Sequence, residues 1–200
     1  GTGDWSSDVC SSDLGWQKGA NNPSSVISMS ATQNSMRTIR LEKVVLNMGV
    51  GKSGDAIEIA KKALDQISGK KSCARDAKGT QRDWGVRKGE PIGVAVTVRG
   101  EDASVLLKRL LEAIGNRLKG RSFDNFGNVS FGIKEHIDIP GIKYDPQIGI
   151  LGMEAAITLT RPGFSIRLRS RHKASVGNEH IITREEAQEF LTREFGVTII

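Results

Sequence analysis

Gly49-Val50-Gly51-Lys52-Ser53-Gly54 is the segment whose residue types and spacing come nearest to chemistry. It satisfies GxGxxG and lies between a run with strand character and a run with helical character, where glycines could let backbone amides approach a pyrophosphate. A dinucleotide site would also need a parallel βαβ unit and an acid about 20 residues further on. The strands that follow come too soon and are too polar, and Asp76, the nearest acid at about the right distance, follows Arg75 inside a basic stretch. A phosphate-cradling Walker loop would need glycine at position 46, which is Leu. What remains is a sharp strand-to-helix turn whose amides and Lys52 can meet a phosphate.

Other chemistry is thinner. His136, His172 and His180 have no carboxylate or cysteine partner at ligand spacing, so metal binding and His-based catalysis are unsupported, and all three read as surface or RNA-contacting residues. Cys73 lacks a nucleophile context and reads as a half-buried strand residue, while Cys10 and Cys73 make neither a CxxC pair nor a disulfide framework. The expectation is binding without catalysis, cofactor or metal. Basic residues instead gather in two places. One spans Lys70 to Lys88 (Lys70, Lys71, Arg75, Lys78, Arg82, Arg87, Lys88), and the other spans Arg161 to Lys173 (Arg161, Arg167, Arg169, Arg171, His172, Lys173). Each alone could be a solvated surface, but two clusters interleaved with glycine and an aromatic, Trp84, suit a polyanion. Trp84 could stack on a base or lie as a lid over the core.

Composition agrees. Lys plus Arg number 29 against 23 Asp plus Glu, a net charge of +6, which favours nucleic acid first and an anionic membrane second. No apolar run approaches the roughly 20 residues that span a bilayer, and no signal peptide is evident, so a cytoplasmic protein is expected. Residues 1–28 are polar and unpatterned, and Asp4 to Leu14 resembles a translated sequencing-adapter oligonucleotide. They are set aside as an artefactual or disordered leader, with Met29 or Met36 as the natural start. Setting aside Lys18, Asp4, Asp8 and Asp13 leaves 28 basic against 20 acidic residues.

The elements that must position these residues follow from periodicity. Ile39 to Val50 reads as a central strand ended by glycines, and Asp55 to Ser68 as an amphipathic helix with Gly69 at its C-cap. A short strand is expected around Lys71 to Asp76, a loop from Lys78 to Glu90, and a strand from Ile92 to Arg99 opened by Pro91. A second helix is expected from an Asp102 cap to Gly120, with Leu107, Leu110, Leu111, Ile114 and Leu118 as its apolar stripe. Strands are expected at Val129 to Lys134 and Met153 to Thr160, and a third at Phe164 to Lys173, where Arg167, Arg169 and Arg171 recur with period two. A capping box at Thr183 to Glu186 opens a last helix running to Gly196. This order predicts an α+β sandwich: a mainly antiparallel sheet with helices on one face, the other face free as a platform for RNA.

Particular words then become recognisable: Leu41 to Gly51, Arg87-Lys88-Gly89-Glu90-Pro91-Ile92-Gly93, Val96 to Gly100, Ser122 to Asn128, Phe131 to Glu135, and Ile150-Leu151-Gly152-Met153. In this order and spacing they resemble the large-subunit ribosomal protein family numbered five, in its archaeal form, over nearly all of Met36 to Ile200. The resemblance implies an RNP-like sandwich, related to the ferredoxin-like fold, occupying residues 29–200 as a single domain with a basic C-terminal segment and terminal helix. It implies a structural role in the large ribosomal subunit: binding 5S rRNA and large-subunit rRNA, helping attach 5S rRNA in the central protuberance beside its neighbouring proteins, and bridging to a small-subunit head protein. Asn47, Thr97, Arg99 and Lys70 fall at rRNA-contacting positions, with Lys52 beside them. Lys70 stands where bacterial members commonly have glutamine, so a phosphate contact suits it better than a base contact. The 78–88 loop would meet P-site tRNA through Lys78, Arg82, Arg87 and Lys88, with Trp84 in place of the usual phenylalanine. Arg167, Arg169, Arg171 and Lys173 would add basic RNA contacts.

Overall fold

The computed structural model describes residues 34–51 and 53–200. The expected leader at residues 1–28, Met29 and Lys52 lie outside them. Residues Gln33–Ile200 form one unit.

Strand β1 (Arg40–Gly49) leads through the glycine turn into helix α1 (Asp55–Ser68). On α1, Ile57, Ala60, Ala63, Leu64 and Ile67 recur at helical spacing and are buried, and Gly69 ends the helix in the left-handed conformation, its N–H donating to the Asp65 carbonyl. Strands β2 (Cys73–Asp76) and β3 (Pro91–Arg99) follow, then helix α2 (Glu101–Ala113).

Helix α2 departs from expectation at both ends. Asp102 is not its cap: Gly100, at φ 74°, occupies that position, and Asp102 sits in the first turn. There the helix dipole favours its charge, and Lys70 Nζ pairs with it at 2.8 Å. Nor does α2 reach Gly120. Gly115 and Asn116 both take positive φ, and the chain leaves the helix to form the two-residue strand β4 (Arg117–Leu118). Leu118 is therefore buried through β4, which pairs in parallel with β7 (Thr198–Ile199) at the far end of the chain.

Strands β5 (Asn128–Ile133) and β6 (Met153–Thr160) complete a five-stranded sheet in the order β2-β3-β1-β6-β5, every neighbouring pair antiparallel. The α+β sandwich is thus as expected, with α1 and α2 against the sheet. Val44, Leu46 and Met48 of β1, Val94, Val96 and Val98 of β3, and Ala155, Ile157 and Leu159 of β6 turn inward onto those helices in one core.

The Phe164 to Lys173 segment is not a strand. It forms a single helical turn, α3 (Ser165–Leu168), with no buried residue. The chain then folds back on it, Ala174 N–H donating to the Ile166 carbonyl and Arg169 Nε to the His172 carbonyl. The alternate residues Phe164, Ile166 and Leu168 could have made the apolar face of a strand, but the segment pairs with no described strand, and Ile166 and Leu168 stay exposed. The last helix, α4 (Arg184–Phe195), carries the expected capping box, in which Glu186 N–H donates to Thr183 Oγ1 and Thr183 N–H to the Glu186 carboxylate.

Candidate nucleic-acid interface

The strands that turn aliphatic residues toward α1 and α2 turn the alternate residues outward, and pairing lines those up in rows. One row runs Cys73, Ala95, Asn47, Glu154, Gly132 across all five strands. The next runs Thr97, Val45, Ala156, Ser130, and the third Arg99, Lys43, Thr158, Asn128. Most of these side chains are short, so the face is low in relief and polar. Asn47 and Thr97 are diagonal neighbours on adjacent strands, close enough to act on one ligand.

Electrostatics mark this face. Arg99 and Lys43 are directly opposed in register, an arrangement that disfavours folding and favours a polyanion. Glu42 relieves it in part, its Oε1 lying 3.8 Å from Arg99 Nη1 at a bulge in β1. Lys70, at the end of α1, is held toward Asp102, three residues beyond Arg99. The structure therefore gathers Asn47, Thr97 and Arg99 on one face and ties Lys70 beside its Arg99 end. Sequence reasoning missed Lys43, Glu154, Ser130, Asn128 and Thr158 as members of the face. The signal was available in the alternation of Met153 to Thr160, but cross-strand register was not.

The 78–88 loop joins β2 to β3. Its base is closed by Ala77 N–H donating to the Glu90 carbonyl and Gly89 N–H to the Ala77 carbonyl, and its tip by reciprocal bonds between Gln81 and Val86. Trp84, at the tip, is 79% exposed, so it is no lid over the core. Lys78, Arg82, Arg87 and Lys88 lie along the same loop and are open to solvent, Val86 alone among residues 78–88 being buried. Glu90 fastens the base: its carboxylate accepts from Ser53 Oγ and from Arg87 N–H, and these bonds, with the Arg87 charge, hold its pKa below the ordinary value.

In the second basic cluster, Arg167, Arg169, Arg171 and Lys173 are exposed but share no strand face, because the segment that carries them is not extended. Arg161 is a different case, only 6% exposed. Its Nη2 lies 2.7 Å from Glu186 Oε1 and its Nη1 donates to the His180 and Ile181 carbonyls, so it anchors α4 and is not free for RNA. His136 is likewise buried, its Nδ1 accepting from Leu151 N–H, and His180 is half-buried, facing the Pro162 carbonyl at 2.9 Å. Only His172 has the exposed surface position expected of all three. Cys73 is exposed at the sheet edge, where its Sγ lies 3.3 Å from the Ala95 carbonyl.

Comparison with known proteins bears on this surface. Residues 34–87 match the family described as "Ribosomal protein L5", and residues 91–198 match the model of that ribosomal family's C-terminus. A large ribosomal subunit protein uL5 of Nitrosopumilus maritimus is 72% identical over 168 residues, covering 84% of this chain and 97% of that protein. The Cenarchaeum symbiosum protein of the same description is 69% identical over 82% of this chain and 98% of its own length. That of Sulfurisphaera tokodaii is 52% identical over 84% and 96%.

Proposed function

The chain belongs to the ribosomal protein L5 family and is a structural, non-enzymatic constituent of the large ribosomal subunit, and on that premise we propose that the outward face of its sheet binds 5S rRNA. The observation that carries this reading is the cross-strand placement of Asn47, Thr97 and Arg99 on an uncovered, low-relief face. Asn47 and Thr97 can hydrogen-bond sugar or base edges, while Arg99, Lys43 and Lys70 can meet phosphates. Lys52 belongs to the same proposal by its place in the chain after β1. Arg167, Arg169, Arg171 and Lys173 supply further phosphate contacts to 5S or large-subunit rRNA. In this reading the chain helps attach 5S rRNA in the central protuberance alongside neighbouring proteins and bridges to a small-subunit head protein. The 78–88 loop, with exposed Trp84 at its tip and Lys78, Arg82, Arg87 and Lys88 along it, reaches P-site tRNA.

The test is competition binding of the full chain at about 0.15 M salt, with 5S rRNA against an unrelated structured RNA of similar length. Preference for 5S rRNA, weakened at least tenfold by Asn47→Ala plus Thr97→Ala, is the expected result. Equal affinity for both RNAs, unmoved by the double substitution, would reduce the face to generic electrostatics.

A further inference from the structure

Where the third row of the sheet face ends, the 164–181 segment stands beside it and encloses a hollow of about 290 Å³ whose lining includes Lys43, Arg167, Glu42, Phe126, Phe164 and Asn128. A second hollow, about 480 Å³, adjoins it through the shared Phe126, Phe164 and Arg167 and is bordered by Lys173 and Asn178. Phe126 is 50% exposed, so its ring is open to a ligand. The Arg167 guanidinium carbon lies 5.8 Å from the centre of its ring. Phe164 is steadied from behind by His180, the two rings 5.7 Å apart, and His180 is itself held by its contact with the Pro162 carbonyl.

We propose that this hollow receives one unstacked nucleotide of the 5S rRNA, its base against Phe126 and Phe164 and its phosphate between Lys43 and Arg167. The proposal rests on the reading of the sheet face as the 5S rRNA platform and extends it to an aromatic subsite. Three features select this occupant. The hollow is continuous with the polar row Lys43, Thr158, Asn128, so an RNA strand crossing the face runs into it. Its two cations, Lys43 and Arg167, outnumber its one carboxylate, Glu42, and complement a phosphate, whereas an apolar side chain from a protein would leave all three charges facing a greasy partner. The lining pairs aromatic rings with polar side chains. Asn128 Nδ2 donates to Asp124, leaving its Oδ1 free to accept from a base edge. An aromatic ring flanked by arginine stacks any base, because every base offers a π-face.

The experiment uses the full chain bound to 5S rRNA. Ultraviolet irradiation followed by peptide mass spectrometry is expected to give a nucleotide adduct on Phe126 or Phe164. Phe126→Ala is expected to weaken 5S rRNA binding roughly tenfold without changing its salt dependence, because a stacked base is lost but no ion pair. Phe126→Tyr, which keeps the ring, should bind within about twofold of the parent chain. Absence of any adduct on either ring, with Phe126→Ala binding like the parent while Asn47→Ala plus Thr97→Ala still weakens it, overturns the hollow and leaves the sheet reading standing. Should neither set of substitutions matter, the sheet reading falls as well. If Phe126→Ala does not fold, the adduct on the parent chain decides.

Discussion

Arg99 carries a charge that the free protein already engages, because Glu42 lies 3.8 Å away. A pair this long, to an arginine this open to solvent, contributes only about 0 to 1 kcal/mol, so a phosphate can displace the carboxylate at little cost. Arg99→Ala should therefore reduce the slope of log affinity against log salt by about one ion, and Glu42→Gln should strengthen 5S rRNA binding a few-fold. A titration of both variants from about 0.05 to 0.3 M salt decides it, and an unchanged slope in Arg99→Ala would remove Arg99 from the phosphate contacts. Glu154 makes the complementary case. A carboxylate level with Asn47 in the middle of the face repels phosphate and tolerates only a ligand that offers it a donor. Glu154→Gln is expected to raise affinity for unrelated RNA more than for 5S rRNA, narrowing their ratio in the competition assay. Asn47, Thr97 and Arg99 were legible as residues through the family words around them. Glu154 and Lys43 were not singled out, because only pairing with β5, β1 and β3 shows which row each joins.

Among the elements, α4 shows local and tertiary determinants meeting at one residue. Thr183 and Glu186 cap the helix reciprocally, and buried Arg161 pairs with Glu186 from outside it. Burial alone would raise the Glu186 pKa, but the Thr183 N–H and the Arg161 guanidinium outweigh it and hold the carboxyl below its ordinary value near 4.5. A lowered folded pKa means stability that is present above the unfolded value and is lost as pH falls through the folded one. The stability gap between the parent chain and Glu186→Gln should thus be full at neutral pH and close as pH drops below about 4.5, as followed by denaturant unfolding across pH. A gap independent of pH would mean that the carboxylate charge is not what holds the element. Thr183→Ala should cost about 1 kcal/mol, seen as a fall in Tm of about 2 to 4 °C. The capping box was readable because it lies within four consecutive residues. Arg161 looked like one more RNA-facing cation, since nothing local distinguishes a buried arginine from an exposed one.

At the scale of the whole molecule, the 78–88 loop hangs from a base closed by Ala77, Gly89 and Glu90 and contributes only Ala77 and Val86 to the buried apolar residues. Replacing residues 80–87 by a short glycine linker should therefore leave Tm and 5S rRNA affinity close to those of the parent chain, while removing crosslinks to P-site tRNA in reconstituted ribosomes. Loss of 5S rRNA binding in that variant would show that loop and sheet are not separable. By contrast, Leu107→Ala, in the centre of the core under the sheet, should cost about 2 to 5 kcal/mol in denaturant unfolding and take the RNA face down with it. By itself the sequence determined the strands and helices whose apolar period is strong, the two capping motifs, the basic balance and the family, because each is a property of neighbouring residues or of ordered words. Tertiary structure alone decided the rest. It ended α2 at Ala113, because Leu118 finds its burial in a ribbon with Thr198 and Ile199. It withheld a strand from the Phe164 to Lys173 segment, whose alternating Phe164, Ile166 and Leu168 find no sheet edge to pair with, and it sank Arg161 into an ion pair. It also set Phe126 beside Phe164 and Arg167 across about 40 residues of chain, since such proximity comes from packing and not from any local pattern.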